Sequence, residues 1–250
     1  MSQLAQAFAA HDLKLIEITP VELDRRHWLC VGFEEAGEDR GDFMHLGFLY
    51  ADQAEFVAAP DLHEAVAGYF SGRDRVLMRL HSECLLGDAI HSTMCDCGEQ
   101  LSLALNEIAR KGEGIILYLR QEGRGIGMRN KLSALSLQYG FRHGQQTGHR
   151  HSSDNANLAL GHEIDERDYT VAGNFLNALG ISSTSMITGN GAKVASIANA
   201  GVRIIETVDL WAQDLSDRAK HEMEEKRNRG YRYARYDNDD DEAPARPAAE

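Results

Sequence analysis

The residues best placed to do chemistry carry sulfur. His81-Ser-Glu-Cys84 is followed by Cys95-Asp-Cys97-Gly, so three of the four cysteines fall within fourteen residues. The two thiols of a C-x-C pair do not readily bridge each other, but both can point at one ion. Three sulfur ligands leave one tetrahedral position of Zn²⁺ for water, the arrangement of a catalytic rather than a structural site. The ion would bring the pKa of that water toward neutrality. Two blander readings stand beside this one: a closed site completed by Cys30, or no metal. Cys30 lies in the apolar run Trp28-Leu-Cys-Val, which suits a buried core thiol.

A second group is cationic. Arg120-Gln-Glu-Gly-Arg-Gly-Ile-Gly-Met-Arg-Asn-Lys131 directly follows an apolar run, Ile115–Leu119. Glycines at 123, 125 and 127 allow backbone N–H groups to approach an anion, and a following helix adds its dipole. Arg120, Arg124, Arg129 and Lys131 offer charge for a polyphosphate, and Glu122 an oxygen for Mg²⁺ between phosphates. The alternative is a flexible turn with solvated basic residues. Asp165-Glu-Arg-Asp-Tyr-Thr170 reads as the first turn of a helix, where acids ordinarily just complement the dipole. Thr188-Gly-Asn-Gly-Ala-Lys193 is a further Gly-rich turn suited to an anion.

These groups need a scaffold. Short apolar runs at Trp28–Phe33, Phe43–Tyr50 and Val76–Leu80 predict strands, with turn residues between them. Leu101, Ala104, Leu105, Ile108 and Ala109 keep helical spacing, ended by Gly112 and Gly114. Beyond them a strand is expected at Ile115–Leu119, a helix at Asn130–Tyr139 and another at Asp165–Leu179. A strand at Ser185–Thr188, a helix at Lys193–Ala200 and a strand at Val202–Val208 complete the pattern. The expected fold is α/β (α+β): a strand-rich N-terminal part, then a layered α/β unit with a mixed sheet. Gly140–Gly161, with His143, His149 and His151, shows no period and reads as a long loop. Residues 1–20 read as a weakly determined extension, 21–235 as one catalytic domain, and 236–250 as a disordered acidic tail.

Composition narrows the class. The 250 residues are 43% hydrophobic, enough for a real core. The formal charge of −13 argues against nucleic acid or an anionic membrane as partner. No apolar run is long enough to span a bilayer, and the N-terminus lacks signal-peptide character, so a cytoplasmic protein is expected.

Together these motifs resemble the GTP cyclohydrolase II family, the first committed enzyme of riboflavin synthesis. The matching segments are RLHSECLLGDAIHSTMCDCGEQL at 79–101, LRQEGRGIGMRNKL at 119–132, ANLALGHEIDERDYT at 156–170 and ITGNGAKVASIANAGV at 187–202. The resemblance runs from about Trp28 to Tyr231. It implies Cys84, Cys95 and Cys97 as ligands of one Zn²⁺. It implies nucleotide contacts at Arg79, Leu80, His81, Ser82, Glu83, Gln100, Glu122, Gly123, Arg124, Thr188 and Lys193. Asp165 matches the proposed general base. Arg167 matches an arginine acting at the α-phosphate, where stabilising charge is a safer role than nucleophilic attack because guanidinium stays protonated. The implied reaction is addition of zinc-activated water to guanine C8 and loss of formate and pyrophosphate, with Mg²⁺ accompanying the triphosphate. A homodimer is also implied.

Two departures stand out. Where the family carries K-[IL]-R-A-Y-A-L-Q, this chain reads Lys131-Leu-Ser-Ala-Leu135-Ser-Leu-Gln138, so a tyrosine hydroxyl is missing. The stretch from Gln138 to Asp165 is longer than usual, and leaves the family's threonine there ambiguous between Thr147 and Ser153. These changes raise a variant that stops at a formamidopyrimidine nucleotide for another pathway. Outside that chemistry stand a non-catalytic GTP-binding module and a zinc nucleobase deaminase; the latter lacks its P-C-x-x-C.

Overall fold

A computed structural model describes residues 1–38, 41–210 and 215–232. The expected acidic tail, 236–250, lies outside the described residues. The chain runs α1 (Gln3–Ala10), β1 (Leu13–Leu23), β2 (Arg26–Glu35), β3 (His45–Ala51), α2 (Ala54–Val57), α3 (Leu62–Phe70) and β4 (Val76–Ser82). It continues through α4 (Leu85–Asp88), α5 (Cys97–Lys111), β5 (Glu113–Leu119), α6 (Gly127–Gln138), β6 (Phe141–Arg142), β7 (Gln145–Gln146) and α7 (Ser153–Ala159). Last come α8 (Thr170–Ala178), β8 (Ser183–Ile187), α9 (Gly191–Asn199), β9 (Arg203–Val208) and α10 (Asp217–Asn228).

Seven strands form one mixed sheet in the order β1-β2-β3-β5-β4-β8-β9. The β1-β2-β3-β5 half is antiparallel, while β4 is parallel to both β5 and β8, and β8 to β9. This is the expected α/β class. Strand alternation then sorts side chains between two faces. Met78 and Leu80 of β4, with Ile115, Leu117 and Leu119 of β5, join the larger core under α1, α3, α8 and α9. Leu77 and Ile116 face α5, whose Ala104 and Ile108 are fully buried. Arg79 and His81 are in step with Leu77, so β4 presents them on the α5 side. Gly112, at φ +85°, caps α5 and turns the chain into β5.

Three expectations are corrected. Residues 1–20 are not a loose extension. Leu4 and Phe8 are buried, Phe8 packs edge-on against Phe175 at 5.4 Å, and β1 pairs with β2 along its whole length. The helix expected from Asp165 begins only at Thr170. Asp165 and Asp168 each accept the backbone N–H two residues on, a local bonding pattern that competes with helix. The stretch 140–161 holds a small hairpin turning at His143 and Gly144, both at positive φ, and then α7, capped by Ser152.

Candidate functional site

Cys84 follows the end of β4, and Cys97 is the first residue of α5. Their Sγ atoms and that of Cys95 lie within 4.8 Å of one another, and no other His, Cys, Asp or Glu of the described residues joins them. Cys84 Sγ and Cys95 Sγ are 3.6 Å apart. Tetrahedral ligands at a Zn–S distance of ~2.3 Å would be ~3.8 Å apart, so the Cys84–Cys95 spacing suits that ion. Cys30 sits on β2 between Thr19 and Phe48, outside the cluster. The backbone closes tightly around the sulfurs. A Cβ on Gly87 would meet Cys95 Sγ at 3.0 Å and Cys84 Sγ at 3.2 Å, and one on Gly98 would meet the Gly87 carbonyl oxygen at 2.4 Å. Hydrogen bonds from Cys95 and Cys97, then the Lys131 ammonium 3.1 Å away, favour thiolate at Cys84; the other two thiols are pushed up by sharing with it.

The thiols line a cavity of about 220 Å³, with Arg79, His81, Ser82, Glu83 and Gln100 also in its wall. His81 is buried, which holds its pKa below the ordinary value. Its Nδ1 accepts from Arg79 Nε at 3.4 Å, so the ring proton sits on Nε2, 3.0 Å from the Asp88 carboxylate. Asp88 also accepts from the Cys84 backbone N–H and the Tyr118 hydroxyl. Asp88 thus ties imidazole to thiol loop, a role that no sequence motif announces. Asp96, the residue between the paired cysteines, is equally silent in the sequence. Burial pushes its carboxyl up, but the Lys226 ammonium at 3.1 Å outweighs that and holds it below the usual range. Asp96 also accepts from Gln100, which in turn accepts from Arg79.

The same cavity is lined by Arg124, Arg167, Thr188 and Lys193. Arg124 bonds Asp154 at 2.7 Å and the Ser153 hydroxyl, and Arg167 is held through its Nε by Asp165 at 2.8 Å. Burial pushes the Asp165 carboxyl up, yet the paired guanidinium carries it below the usual carboxylate range. Lys193 donates to the Leu80 carbonyl at 2.7 Å, and burial drives its pKa well down, aided by Arg167 and Arg79.

Several expected contacts are redistributed. Leu80 turns into the main core and offers the site only its carbonyl, as strand alternation requires. Asp165 does not line the cavity but grips Arg167 from behind. Glu122, expected to hold Mg²⁺, engages both oxygens within the chain, accepting from Lys131 at 2.6 Å, Gly123 N–H at 2.8 Å and Leu85 N–H at 2.7 Å. Arg120 pairs with Glu83, and Arg129 is on α6; neither lines the cavity. Gly125 has a packing reason: a Cβ there would lie 2.8 Å from the Glu166 carbonyl carbon. Leu135 does line the cavity, from α6. So do Arg218, Glu222, Lys226 and Tyr231, in and just after α10, where the sequence carries no motif.

With this geometry in view, the likenesses to known proteins are direct. The family model described as GTP cyclohydrolase II matches residues 39–209. GTP cyclohydrolase-2 of Enterobacter sp. (strain 638) is 43% identical over 171 residues, covering 68% of this chain and 80% of that protein. The GTP cyclohydrolase-2 proteins of Escherichia coli O45:K1 and Proteus mirabilis are each 42% identical over 170 residues, covering 68% of this chain and 80% and 78% of their own lengths. A hydrolase acting on GTP is what these matches make of a thiol trio and a cationic pocket sharing one cleft: the chain belongs to the GTP cyclohydrolase II family.

Proposed function

We propose that this enzyme opens the imidazole ring of GTP at C8, releasing formate and pyrophosphate and leaving a diamino-ribosylamino-pyrimidinone phosphate for riboflavin synthesis. One observation carries the reading: three clustered thiols and the basic side chains Arg124, Arg167 and Lys193 line a single cavity. Zn²⁺ held by Cys84, Cys95 and Cys97 would supply Lewis acidity and a water of lowered pKa.

The chain's own groups do the rest. Neutral His81, fixed by Arg79 and Asp88, holds a proton on Nε2 at the wall beside the thiols. Arg124 and Lys193 meet phosphate oxygens, and Arg167 stabilises charge at the α-phosphate. Asp165, whose oxygens are engaged by Arg167, orients that guanidinium and is a weak base in this arrangement. Mg²⁺ enters with the triphosphate and is held by phosphate oxygens, not by Glu122. A cytoplasmic homodimer belongs to the same reading. The test is GTP turnover by purified protein, with formate, pyrophosphate and the mass of the nucleotide product measured together. Product formation in metal-free protein would overturn it.

A second reading rests on Leu135, an apolar side chain at the cavity wall. Loss of formate from the ring-opened N-formyl amine needs a second hydration and a second proton transfer. General acid–base help at such a step is worth roughly 10²–10⁴-fold, and leucine offers none. A formamidopyrimidine nucleotide as main product, with formate restored by Leu135→Tyr, supports this branch; stoichiometric formate from the wild type rejects it.

A further inference from the structure

The family match ends at residue 209, yet the chain from 215 to 232 closes one side of the cavity. Its attachments are spread around the rim. The Ser216 hydroxyl donates to the Thr93 carbonyl beside the thiols, and Arg218 donates to Gln138. Lys226 pairs with Asp96, and Arg229 lies 3.6 Å from Asp154. The last attachment reaches Arg167 and the Thr188-Gly-Asn-Gly turn. Tyr231 Oη accepts from Asn190 Nδ2 at 2.8 Å and from Arg167 Nη2 at 3.2 Å, and the Arg232 N–H donates to the Gly189 carbonyl at 2.9 Å.

This docking accounts for part of the Thr188-Gly-Asn-Gly turn. A Cβ on Gly189 would stand 2.0 Å from the Arg232 carbonyl oxygen, so only glycine admits the segment there. Asn190 serves two neighbours at once, since its Oδ1 caps α9 while its Nδ2 holds Tyr231. The turn is therefore a receptor for the C-terminal segment as well as a wall of the cavity.

We infer that Tyr231 is a positioning residue for Arg167. Asp165 grips the guanidinium at Nε and Nη2, and the Tyr231 hydroxyl touches Nη2 from the cavity side, so the two fix the plane of the group between them. The inference rests on the proposed role of Arg167 at the α-phosphate. In that step water forms a new P–O bond, the bond from the α-phosphorus to the bridging oxygen breaks, pyrophosphate leaves with that oxygen, and the water protons pass to solvent. Arg167 must lie against the α-phosphate as charge moves, and a guanidinium free to rotate does this less often.

Single-turnover pyrophosphate release with enzyme in excess tests the inference, with GTP binding measured by titration and melting temperature recorded. Tyr231→Phe keeps the ring and removes the oxygen. It should slow pyrophosphate release about tenfold, since bonds to charged groups are the stronger class, and shift GTP affinity less than about twofold. In an Arg167→Lys background the same change should add nothing. If Arg167→Lys slows release and Tyr231→Phe does not, or if the two effects multiply, Tyr231 does not act through Arg167. If Arg167→Lys itself releases pyrophosphate at the wild-type rate, the reading of Arg167 falls and the inference with it. An equal loss of affinity and rate in Tyr231→Phe would mark a general loosening of the segment and count against positioning.

Discussion

In one part of the cleft, three sulfurs from positions 84, 95 and 97 cluster around Gly87, on whose carbonyl Gly98 packs, with the Lys131 ammonium against Cys84. Elsewhere in its lining, Arg124, Arg167 and Lys193 arrive from three separate segments and are already occupied by Asp154, Asp165 and a backbone carbonyl. The first group is fixed by backbone contact and leaves little to adjust. In the second, Arg124 and Arg167 are held by ion pairs that an incoming polyphosphate can replace. Preorganisation of ligand geometry and exchangeable neutralisation of charge are thus separate requirements, met in separate regions.

The sharpest way to break that contrast is at the sulfurs. Loss of an outer partner of a metal ligand already costs ~10–100-fold, so Cys97→Ser should lower bound zinc and ring opening by at least about a hundredfold. Cys30→Ser should leave both unchanged; metal analysis after dialysis, alongside formate release, reads the outcome. Next comes the backbone. Gly87→Ala places a methyl against two sulfurs and should weaken zinc affinity by about 10–100-fold in competition with a chelator. Unchanged affinity would mean the thiols are less constrained than their packing indicates.

Among the basic residues the expected effects are smaller, and the two variants of the Arg124–Asp154 pair should move KM in opposite directions. Arg124→Ala removes a charge-assisted contact and should raise the KM for GTP at least about tenfold. Asp154→Asn releases Arg124 from its partner, so KM should fall by about two- to fivefold, in line with the modest worth of a partly exposed pair. A higher KM in both variants would show that Asp154 aligns Arg124 instead of competing with phosphate. The smallest effect is expected from deleting 237–250, which begin with an acidic run and hold no apolar residue larger than alanine or proline: melting temperature and turnover should be unchanged.

What the sequence disclosed follows the same division. The thiol trio was legible because its ligands lie close together in the chain and their residue type is itself the signal. The alternating strands and helices from β4 onward were legible because apolar periodicity reports burial. Residues 1–20 escape such a reading because only Leu4, Phe8, Leu13 and Ile18 carry the burial, at spacings too sparse to form a run. The start of α8 is hidden because Asp165 and Asp168 bond to their own backbone, which a pattern of apolar residues does not register. Lys226 with Asp96, and Tyr231 with Arg167, are invisible for another reason: each pair spans a long stretch of chain, and neither partner's type announces the other.

The position of Tyr231 so late in the chain also gives the protein a history during its own synthesis. Cys84, Cys95 and Cys97 leave the ribosome well over a hundred residues ahead of it. At about 5–20 residues per second, that interval lasts on the order of ten seconds. Through it the thiols can meet a metal while the cleft still lacks the wall built from 215–232. Arrival of the three thiols and of the last wall of the cavity are therefore successive events in the synthesis of each molecule, in an order set by where the residues fall along the chain.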